Sequence, residues 1–504
     1  MISDIGVLRT SAFRINIIYN TAGIISAVYN EKRGFIFMSV KNCAVILAGG
    51  QGKRMKTGLP KPMLKVLDEP MLEWVIRACT DSDVSDLCIV KGFNAEAIDS
   101  WVNGRYRTVY QPERMGTGHA VMMAVDYLKE HTGGNVLILS GDAPFIDPDT
   151  IKKALALHTE KDNAVTVITS EVADPKGYGR ILRRADGSGI SGIVEEKDAT
   201  EEQKKIREIN SGAYWFSVDR LLYALGELKP NNSQGEYYLT DSVFILLSAG
   251  YRADAYVSEN PDTVLGANDR KGLLMLNDTA RKRVIDRLMD DGVEFTCTDG
   301  VTIGRDVKIG AGTCIMQGTI LMGNTEIGEN CVIGPNCLIE NTKVGNNTHL
   351  NSVQAYDAEI DDNVKIGPFV HIRPQSHIKS GVKIGDFVEV KNSVIGENTA
   401  VAHLTYVGDS DVGSGVNFGC GVVTVNYDGA KKFRTTIGDD AFIGCNTNLV
   451  APVKIGNAAY TGAGSTITGD VPDGALAVER GQARIIEGYG ARKLRGRIEK
   501  NHRD

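Results

Sequence analysis

The sequence predicts two domains of different architecture, an α/β domain with a parallel sheet followed by a parallel β-helix. Three observations carry this prediction. The chain has 504 residues, which exceeds the length of one ordinary domain. Aliphatic runs alternate with amphipathic stretches over residues 40–268. From about residue 300 onwards, an Ile-Gly or Val-Gly dipeptide recurs at hexapeptide intervals.

The alternation in the first half is typical of a parallel sheet with helices on both faces. Four aliphatic runs read as buried strands, namely CAVILAGG, LCIVKG, NVLILSGD and AVTVITS. Stretches between them, such as MLEWVIRACT and HAVMMAVDYLKE, read as helices. Ligands of such sheets bind at the carboxyl ends of the strands. Functional residues are therefore expected directly after the aliphatic runs.

The second half repeats with a six-residue period, as VTIGRDVKIG, TEIGENCVIG and TTIGDDAFIG illustrate. Each repeat predicts a short strand and a turn, and three such sides make a coil of about 18 residues. Stacked coils form a solenoid in which each coil buries the face of its neighbour. The segment NYDGAKKFRT (426–435) breaks the period, so it is expected to protrude as a loop that carries function.

The remaining segments complete a domain plan. Residues 269–291 predict one amphipathic helix, because Leu273, Leu276 and Ala280 recur at helical spacing. This helix is either an arm between domains or a helix packed on the first domain. Met38 leads directly into a strand, so the preceding residues are interpreted as a non-catalytic extension. The plan is an extension (1–37), an α/β domain (38–268), a linker helix (269–291), a β-helix (292–490) and a tail (491–504).

Composition narrows the class of protein. Hydrophobic residues are 42% and charged residues 24%, a balance typical of globular chains. The net charge is −7, so the chain lacks the excess of basic residues that is typical of a nucleic-acid-binding protein. No apolar run reaches the roughly 18 residues that a membrane span needs. Nine cysteines without a C-x-x-C pair predict free thiols in a reducing cytosol, not a disulfide framework.

A glycine-rich turn follows the first predicted strand in LAGGQGKRM, from Leu47 to Met55. Glycines at such a turn let backbone N–H groups approach phosphates closely. The spacing differs from that of a P-loop. Arg54 and Lys61 add two cations suited to a triphosphate, although each is also consistent with an ordinary surface charge.

Two further motifs follow later strands. In QPERMGTGHA, the Gln111 amide can pair with the edge of a base, and the Gly116-Thr117 turn can pack on it. The triplet Ser140-Gly141-Asp142 ends another aliphatic run. A carboxylate at that position suits Mg²⁺, which prefers hard oxygen ligands. The alternative role for Asp142 is a helix cap.

In this order and spacing, the motifs resemble the sugar-1-phosphate nucleotidyltransferases. The segments GYGRI (177–181), IVEEKD (193–198), EINSG (208–212) and GANDR (266–270) are similar to the bifunctional N-acetylglucosamine-1-phosphate uridyltransferase / glucosamine-1-phosphate N-acetyltransferase (GlmU) family. The resemblance covers residues 40–490. It implies a Rossmann-like nucleotidyltransferase domain followed by a left-handed parallel β-helix of hexapeptide repeats. It also implies a cytoplasmic homotrimer that assembles through the β-helix, with the acetyltransferase site between neighbouring solenoids.

For the first domain, the resemblance implies uridylyl transfer from UTP to N-acetylglucosamine-1-phosphate. Asp142 and Asn268 would bind Mg²⁺, and Arg54 and Lys61 would neutralise the UTP phosphates. The residues implied to bind UTP and UDP-N-acetylglucosamine are Leu47, Ala48, Gly49, Gly50, Lys61, Gln111, Gly116, Thr117, Ser140, Gly141, Asp142, Gly179, Glu195, Asn210 and Asn268. The chain departs from the usual family residue at three positions, with Gly50 for Ala, Lys53 for Thr and Ser140 for Tyr.

For the β-helix, the resemblance implies acetyl transfer from acetyl-CoA to glucosamine-1-phosphate. His403 would take the ammonium proton, a task that suits a group titrating near neutrality. Glu389 would orient or charge His403, and Arg373 and Lys391 would clamp the sugar phosphate. The residues implied to complete the sugar and coenzyme contacts are Tyr406, Asn417, Asn426, Tyr427 and Lys432. Those implied to contact acetyl-CoA are Cys420, Cys445, Ala463 and Arg480, where Cys420 replaces the usual Ala and Cys445 the usual Ser.

The prediction is therefore a bifunctional transferase that makes UDP-N-acetylglucosamine for peptidoglycan and lipopolysaccharide precursors. One alternative is a monofunctional nucleotidyltransferase with a structural β-helix, as in glucose-1-phosphate adenylyltransferases. The set His403, Lys391 and Arg373 argues against it, because a spacer needs none of these residues. A second alternative, a non-catalytic nucleotide-binding scaffold, is disfavoured by the Asp142 and Asn268 pair.

Overall fold

The computed structural model describes residues 6–10, 13–20, 23–30, 34–39, 42–230 and 234–501. It divides into two compact units, Met1–Ala280 and Arg281–Asp504. Among the described residues, each helix is too short or too polar to cross a lipid bilayer.

The N-terminal segment forms a four-stranded antiparallel sheet in which neighbours in sequence pair with one another. Its strands are β1 (Gly6–Thr10), β2 (Phe13–Asn20), β3 (Gly23–Asn30) and β4 (Gly34–Ser39). Strand β4 runs through Met38 and so crosses the boundary predicted between residues 37 and 38. Residues 1–5, 11–12, 21–22 and 31–33 of the predicted extension lie outside the described residues, and its non-catalytic role stays a prediction.

The α/β domain is built on a nine-stranded sheet and a small two-stranded ribbon. The strands are β5 (Asn42–Leu47), β6 (Lys65–Val66), β7 (Glu69–Pro70), β8 (Leu87–Lys91), β9 (Arg107–Tyr110), β10 (Asn135–Ser140), β11 (Val165–Glu171), β12 (Arg180–Arg183), β13 (Ile190–Val194), β14 (Glu208–Ser217) and β15 (Ala253–Val257). All four predicted aliphatic runs are strands. The order is β13-β12-β14-β10-β5-β8-β9, and β11 joins β14 and β15.

The sheet is mixed and not wholly parallel. Strands β10, β5, β8 and β9 are parallel, as predicted. Strand β14 runs antiparallel to both β10 and β11 and separates them. Its sequence, EINSGAYWFS, lacks the continuous aliphatic character of the predicted strands, so the pattern did not reveal it.

The helices are α1 (Met71–Asp81), α2 (Ala95–Val102), α3 (Thr117–Met122), α4 (Val125–Lys129), α5 (Pro148–Glu160), α6 (Val218–Glu227), α7 (Asp241–Ser248), α8 (Arg270–Asp290) and α9 (Tyr489–Asn501). Helices of the α/β domain pack into two cores on the two faces of the sheet. Cys43 and Val45 of β5 pack into the core that holds α4 and α6, whereas Ala44 and Ile46 pack into the core that holds α1. This alternation follows from the two-residue period of a strand.

Helix α8 confirms the predicted helical segment and begins on the first unit. Leu276 and Ala280 are buried in a core with Met71 and Trp74, so the first half of α8 packs on the α/β domain. The division between the two units falls after Ala280, within this helix. The second half belongs to the second unit, where Arg281 donates a hydrogen bond to a backbone carbonyl at 3.1 Å.

The second unit is the predicted β-helix. Short strands, from Glu294–Phe295 to Leu476–Ala477, form three parallel sheets of 11, 10 and 9 strands. Together with the hexapeptide repeats, they form the left-handed parallel β-helix predicted. The strands that carry predicted site residues are Glu389–Lys391, Ala400–His403, Tyr406–Gly408 and Asn417–Phe418. The segment 426–435 leaves the coil as a loop closed by an antiparallel bridge between Tyr427 and Lys432.

Candidate active sites

A cavity of about 510 Å³ lies at the carboxyl ends of β5 and β10, where ligands of such sheets bind. Nine of the residues implied to bind nucleotide or sugar line it, namely Leu47, Gly49, Gly50, Gln111, Gly116, Thr117, Ser140, Asp142 and Glu195. Motifs separated by up to 148 positions in the sequence, from Leu47 to Glu195, therefore meet at one edge of the sheet.

Lys61 connects the two residues predicted to bind a divalent cation. Its Nζ lies 2.5 Å from Oδ2 of Asp142 and donates a hydrogen bond to Oδ1 of Asn268 at 2.8 Å. Ser140 Oγ donates to the other carboxylate oxygen of Asp142 at 2.6 Å. Two hard oxygen ligands thus converge on the Lys61 ammonium, whose positive charge stands in for that of a divalent cation. This donor set fits Mg²⁺.

The glycine-rich turn after β5 is shaped by close backbone contacts. A Cβ atom at Gly92 would lie 2.9 Å from the backbone of Gly49, closer than real Cβ contacts allow. Lys61 N donates to Gly50 O at 3.1 Å, which folds the lysine segment back onto the turn. Arg54 is exposed and lies outside the cavity lining, so its phosphate role stays a prediction.

Gln111 is buried and held in place beside the cavity. Its Nε2 donates to Gly116 O at 3.3 Å and lies 3.1 Å from Nδ1 of His119. Gly116 has φ of +104°, and a Cβ atom there would lie 2.5 Å from Tyr237 O, so only glycine fits this turn. The geometry presents a fixed amide at the position where the sequence predicts recognition of a base.

Glu195 marks the other end of the cavity, where the sugar is predicted to bind. It accepts a hydrogen bond from Thr240 Oγ1 at 3.2 Å. A Cβ atom at Gly179 would lie 3.4 Å from Glu195 Oε2 and 3.6 Å from Asn210 Cβ, so these three predicted residues are neighbours. Burial raises the pKa of Glu195, and the bond from Thr240 partly offsets this effect. A partly desolvated carboxylate of this kind suits hydrogen bonds from sugar hydroxyls.

Several residues of the cavity lining were not predicted from the sequence, among them Arg114, Glu196, Lys197, Gln234, Glu236 and Tyr238. Three of them belong to one irregular segment before α7. This segment is brought in by backbone bonds, since Tyr237 N donates to Met115 O and Gly118 N donates to Tyr237 O, both at 2.7 Å. No local periodicity in the sequence predicts this pairing. The clustering of Gln, Glu and Tyr in the segment is the one sequence signal that points to it.

In the β-helix, the residues predicted to bind the sugar phosphate share one sheet. Arg373 Nη1 donates to Glu389 Oε1 at 2.8 Å. Glu389 therefore pairs with Arg373 in this chain, and its predicted role of orienting or charging His403 stays a prediction. Glu389 and Tyr406 line one groove, whereas His403 lines a second. The physical reason is that they lie on different sides of the coil, because Glu389 pairs with the sheet of Tyr406 and His403 with that of Asp386.

The buried carboxylate of Asp409, which was not predicted from the sequence, lies next to Lys391 and Lys432. Lys391 Nζ is 3.7 Å from Oδ2 of Asp409, and Asn426 donates a hydrogen bond to the same oxygen. Asn426 Nδ2 also lies 3.4 Å from the hydroxyl oxygen of Tyr406, to which it donates. Lys432 is close enough that its charge acts on Asp409. One polar cluster at the base of the loop therefore contains five residues, namely Lys391, Tyr406, Asp409, Asn426 and Lys432.

The predicted base and three of the four predicted acetyl-CoA residues lie in a single column along the β-helix. The carbonyl of His403 accepts a backbone hydrogen bond from the coil of Cys420 at 3.3 Å. The carbonyl of Cys420 accepts one from the coil of Cys445, and the carbonyl of Cys445 accepts one from the coil of Ala463, both at 2.7 Å. His403 and Cys445 are exposed and Cys420 is half-buried. Arg480 and Asn417 are exposed as well, and Asn417 lies on the sheet of His403.

Two family models match this chain. The model described as nucleotidyl transferase matches residues 43–262. The model described as bacterial transferase hexapeptide (six repeats) matches residues 306–341, 357–392 and 434–469. The two matched regions coincide with the α/β domain and the β-helix.

Curated relatives extend over nearly the whole chain. The bifunctional protein GlmU of Thermoanaerobacter pseudethanolicus is 47% identical over 455 residues, which is 90% of this chain and 99% of the relative. The chain belongs to the bifunctional GlmU family. The GlmU proteins of Caldanaerobacter subterraneus subsp. tengcongensis and Acetivibrio thermocellus are 47% and 44% identical, covering 90% and 91% of this chain and 99% of each relative. As a GlmU family member, the chain is a bifunctional nucleotidyltransferase and acetyltransferase, as predicted.

The thiols of Cys420 and Cys445, the two family departures in the column, predict that acetyl transfer is sensitive to thiol reagents. We expect a maleimide to block acetyl transfer and to spare uridylyl transfer, with acetyl-CoA protecting, because Cys445 is exposed and Cys420 half-buried. In the first domain, burial raises the pKa of Cys43 and of Cys88 to about 12, and Cys79 is also buried, so their thiolates are scarce. Rates of both half-reactions after timed exposure measure the effect.

The matched control restores the usual family residues at both positions. The double variant Cys420→Ala, Cys445→Ser is expected to stay active and to become resistant to the maleimide. Cys297 and Cys314 are also half-buried and supply the competing explanation. Equal sensitivity of the double variant and the parent would place the reactive thiol elsewhere.

Proposed function

We propose that the chain transfers an acetyl group from acetyl-CoA to glucosamine-1-phosphate and then a uridylyl group from UTP to the acetylated product. The products are UDP-N-acetylglucosamine, pyrophosphate and free coenzyme A. The observation that carries this proposal is the presence of two separate polar constellations on two folds. Lys61, Asp142 and Asn268 converge in the first unit. Lys391 and Asn426 converge in the second.

In the first unit, an oxygen of the sugar phosphate attacks the α-phosphorus of UTP and the bond to pyrophosphate breaks in line. Such transfers depend mainly on positioning and on charge stabilisation. Lys61 and Arg54 would neutralise the phosphates, Gln111 would pair with the uracil edge, and Glu195 would accept bonds from sugar hydroxyls. A Mg²⁺ ion held by Asp142 and Asn268 would supply charge stabilisation at the phosphate oxygens.

In the second unit, the amine of glucosamine-1-phosphate attacks the thioester carbonyl of acetyl-CoA. The C–N bond forms, the C–S bond breaks, and the sulfur of coenzyme A leaves with the electron pair. His403 would take the proton from the ammonium group so that the amine becomes a nucleophile. Arg373, Lys391 and Lys432 would hold the sugar phosphate, and the column from Cys420 to Ala463 would lie along the coenzyme.

We place both reactions in the cytoplasm, where they would supply the precursor of peptidoglycan and lipopolysaccharide. We also propose a homotrimer formed through the β-helix. A three-sided prism packs readily about a threefold axis, and closed cyclic symmetry is usual for soluble homo-oligomers.

A single incubation tests the bifunctional reading against its main alternative. With glucosamine-1-phosphate, acetyl-CoA, UTP and Mg²⁺, we expect UDP-N-acetylglucosamine, one pyrophosphate and one free thiol for each product molecule. Chromatography of nucleotides and a thiol-reactive dye measure the products. If N-acetylglucosamine-1-phosphate were accepted but glucosamine-1-phosphate never acetylated, the chain would be a monofunctional nucleotidyltransferase with a structural β-helix.

A further inference from the structure

We propose that Asp409 is a positioning residue for acetyl transfer, which holds two lysine ammonium groups and the loop 426–435 in place for the phosphate of the sugar substrate. The proposal rests on the acetyltransferase reaction proposed above. Asp409 itself would not touch the reacting atoms, because its side chain is only 6% exposed.

The side chain of Asp409 is buried but fully engaged. Its Oδ1 accepts a hydrogen bond from Asn392 Nδ2 at 2.5 Å, and its Oδ2 accepts one from Asn426 Nδ2. Burial alone would raise the pKa of Asp409, but these bonds and the charges of Lys391 and Lys432 hold it below its ordinary value. Because burying an unpaired carboxylate is costly, the surrounding donors show a site built for the charged form.

Asp409 also connects the two ends of the loop that interrupts the hexapeptide period. Its carboxylate bonds to Asn426, where the loop leaves the coil. Its backbone carbonyl accepts a hydrogen bond from Thr435 N, where the loop returns, at 3.1 Å. Phe433 N donates to Asn426 O at 2.9 Å and closes the base of the loop. One residue of the preceding coil therefore fixes the segment that carries Lys432.

The charges around Asp409 explain why a carboxylate is needed here. Contact with Lys391 lowers the pKa of Lys432, and the charge of Asp409 opposes this effect. Arg434 adds a further positive charge that Asp409 faces. Two adjacent ammonium groups repel one another, yet a phosphate is bound best when both are protonated. A buried anion next to them offsets this repulsion and holds both ammonium groups in the same region.

Two substitutions separate the charge of Asp409 from its packing. Asp409→Asn keeps the shape and removes the charge, whereas Asp409→Glu keeps the charge and changes the shape. For Asp409→Asn, we expect KM for glucosamine-1-phosphate to rise about tenfold or more, since bonds between charged partners are lost. The KM for acetyl-CoA and the uridylyl rate should stay within about twofold, because neither site contacts Asp409.

A pH profile provides the readout that a purely structural role would not change. Without the anion, the pKa of Lys432 falls further, so KM for glucosamine-1-phosphate in Asp409→Asn should begin to rise at a lower pH than in the parent. In Asp409→Glu, KM for glucosamine-1-phosphate should begin to rise at the same pH as in the parent, even if KM itself is raised. Equal profiles for both variants would reduce Asp409 to a packing residue and overturn the proposal.

Two further variants complete the test. Asp411→Asn removes a nearby exposed carboxylate, which pairs with Arg434 at the returning end of the loop. It should leave the KM for glucosamine-1-phosphate within about twofold, and an equal rise would assign the effect to loop anchoring alone. In a Lys432→Met background, Asp409→Asn should raise KM by a smaller factor than in the parent, because the repelling pair is gone. An undiminished factor would contradict the charge argument.

Discussion

Replacing Asp142 by alanine should reduce uridylyl transfer by about a thousandfold or more while acetyl transfer continues at its normal rate. Two effects add at this position. The substitution removes one of two oxygen ligands for a divalent cation, and it also frees the Lys61 ammonium, 2.5 Å away, from its carboxylate partner. Losing one preorganised charge contact at a transition state typically costs about 10²–10³ in rate.

The two half-reactions must be measured separately to read this result. Pyrophosphate release from UTP and N-acetylglucosamine-1-phosphate reports the first, and thiol release from acetyl-CoA and glucosamine-1-phosphate reports the second. Asp149→Ala serves as the matched control, because it removes an exposed carboxylate of the same domain that pairs only at the surface with Lys153. If Asp142→Ala stopped acetyl transfer in a folded protein, the two sites would not be independent.

Replacing His403 by alanine should have the reverse effect, with acetyl transfer reduced by about 10²–10⁴ and uridylyl transfer unchanged. That range is typical for the loss of a general base. His403 is exposed beside the column of Cys420 and Cys445, so its removal leaves no buried cavity and the fold should be unaffected. The thiol-release assay at saturating substrates measures the loss in kcat.

His349→Ala is the matched control for this substitution. His349 lies on the same parallel sheet of the β-helix and lines the same groove as His403, but its strand is three strands away from that of His403, on the side opposite the coils of Cys420 and Cys445. It should keep full acetyltransferase activity. Comparable losses in the two variants would show that the groove needs histidines for packing or solvation, and the assignment of His403 as base would fail.

The first site was largely predictable, because each of its motifs follows a strand whose aliphatic run is visible in the sequence. Strand ends of β5 and β10 bring the glycine turn and Asp142 together by topology alone. The bond from Lys61 to Asn268 joins residues 207 positions apart, and only the resemblance to a family suggested that they meet. The segment of Glu236 and Tyr238 was missed because irregular backbone has no period to detect.

For the second candidate site, the sequence predicted polar residues on neighbouring coils but neither their pairing nor the part played by Asp409. Glu389 and His403 are 14 positions apart, and with six residues to a side this spacing places them on different faces of one coil. Arg373 and Glu389 are 16 positions apart, close to one full coil, so they stack on the same face and form an ion pair. Asp409 was missed because a carboxylate next to a turn resembles an ordinary surface residue until its burial is known.

The loop 426–435 also reveals how this solenoid accommodates change. Across most of the prism, a backbone N–H that donates to a side chain of an adjacent coil is 16 to 18 positions from it, as for Ser410 N and Ser393 Oγ. For Ser414 N and Asp439 Oδ1 the separation is 25, because the loop lies between them. The register of the strands on either side is unaffected. A corner of the prism is therefore a point where new chain can be added without displacing the catalytic column. Grafted segments of different length at this corner could alter substrate choice while the scaffold stays constant.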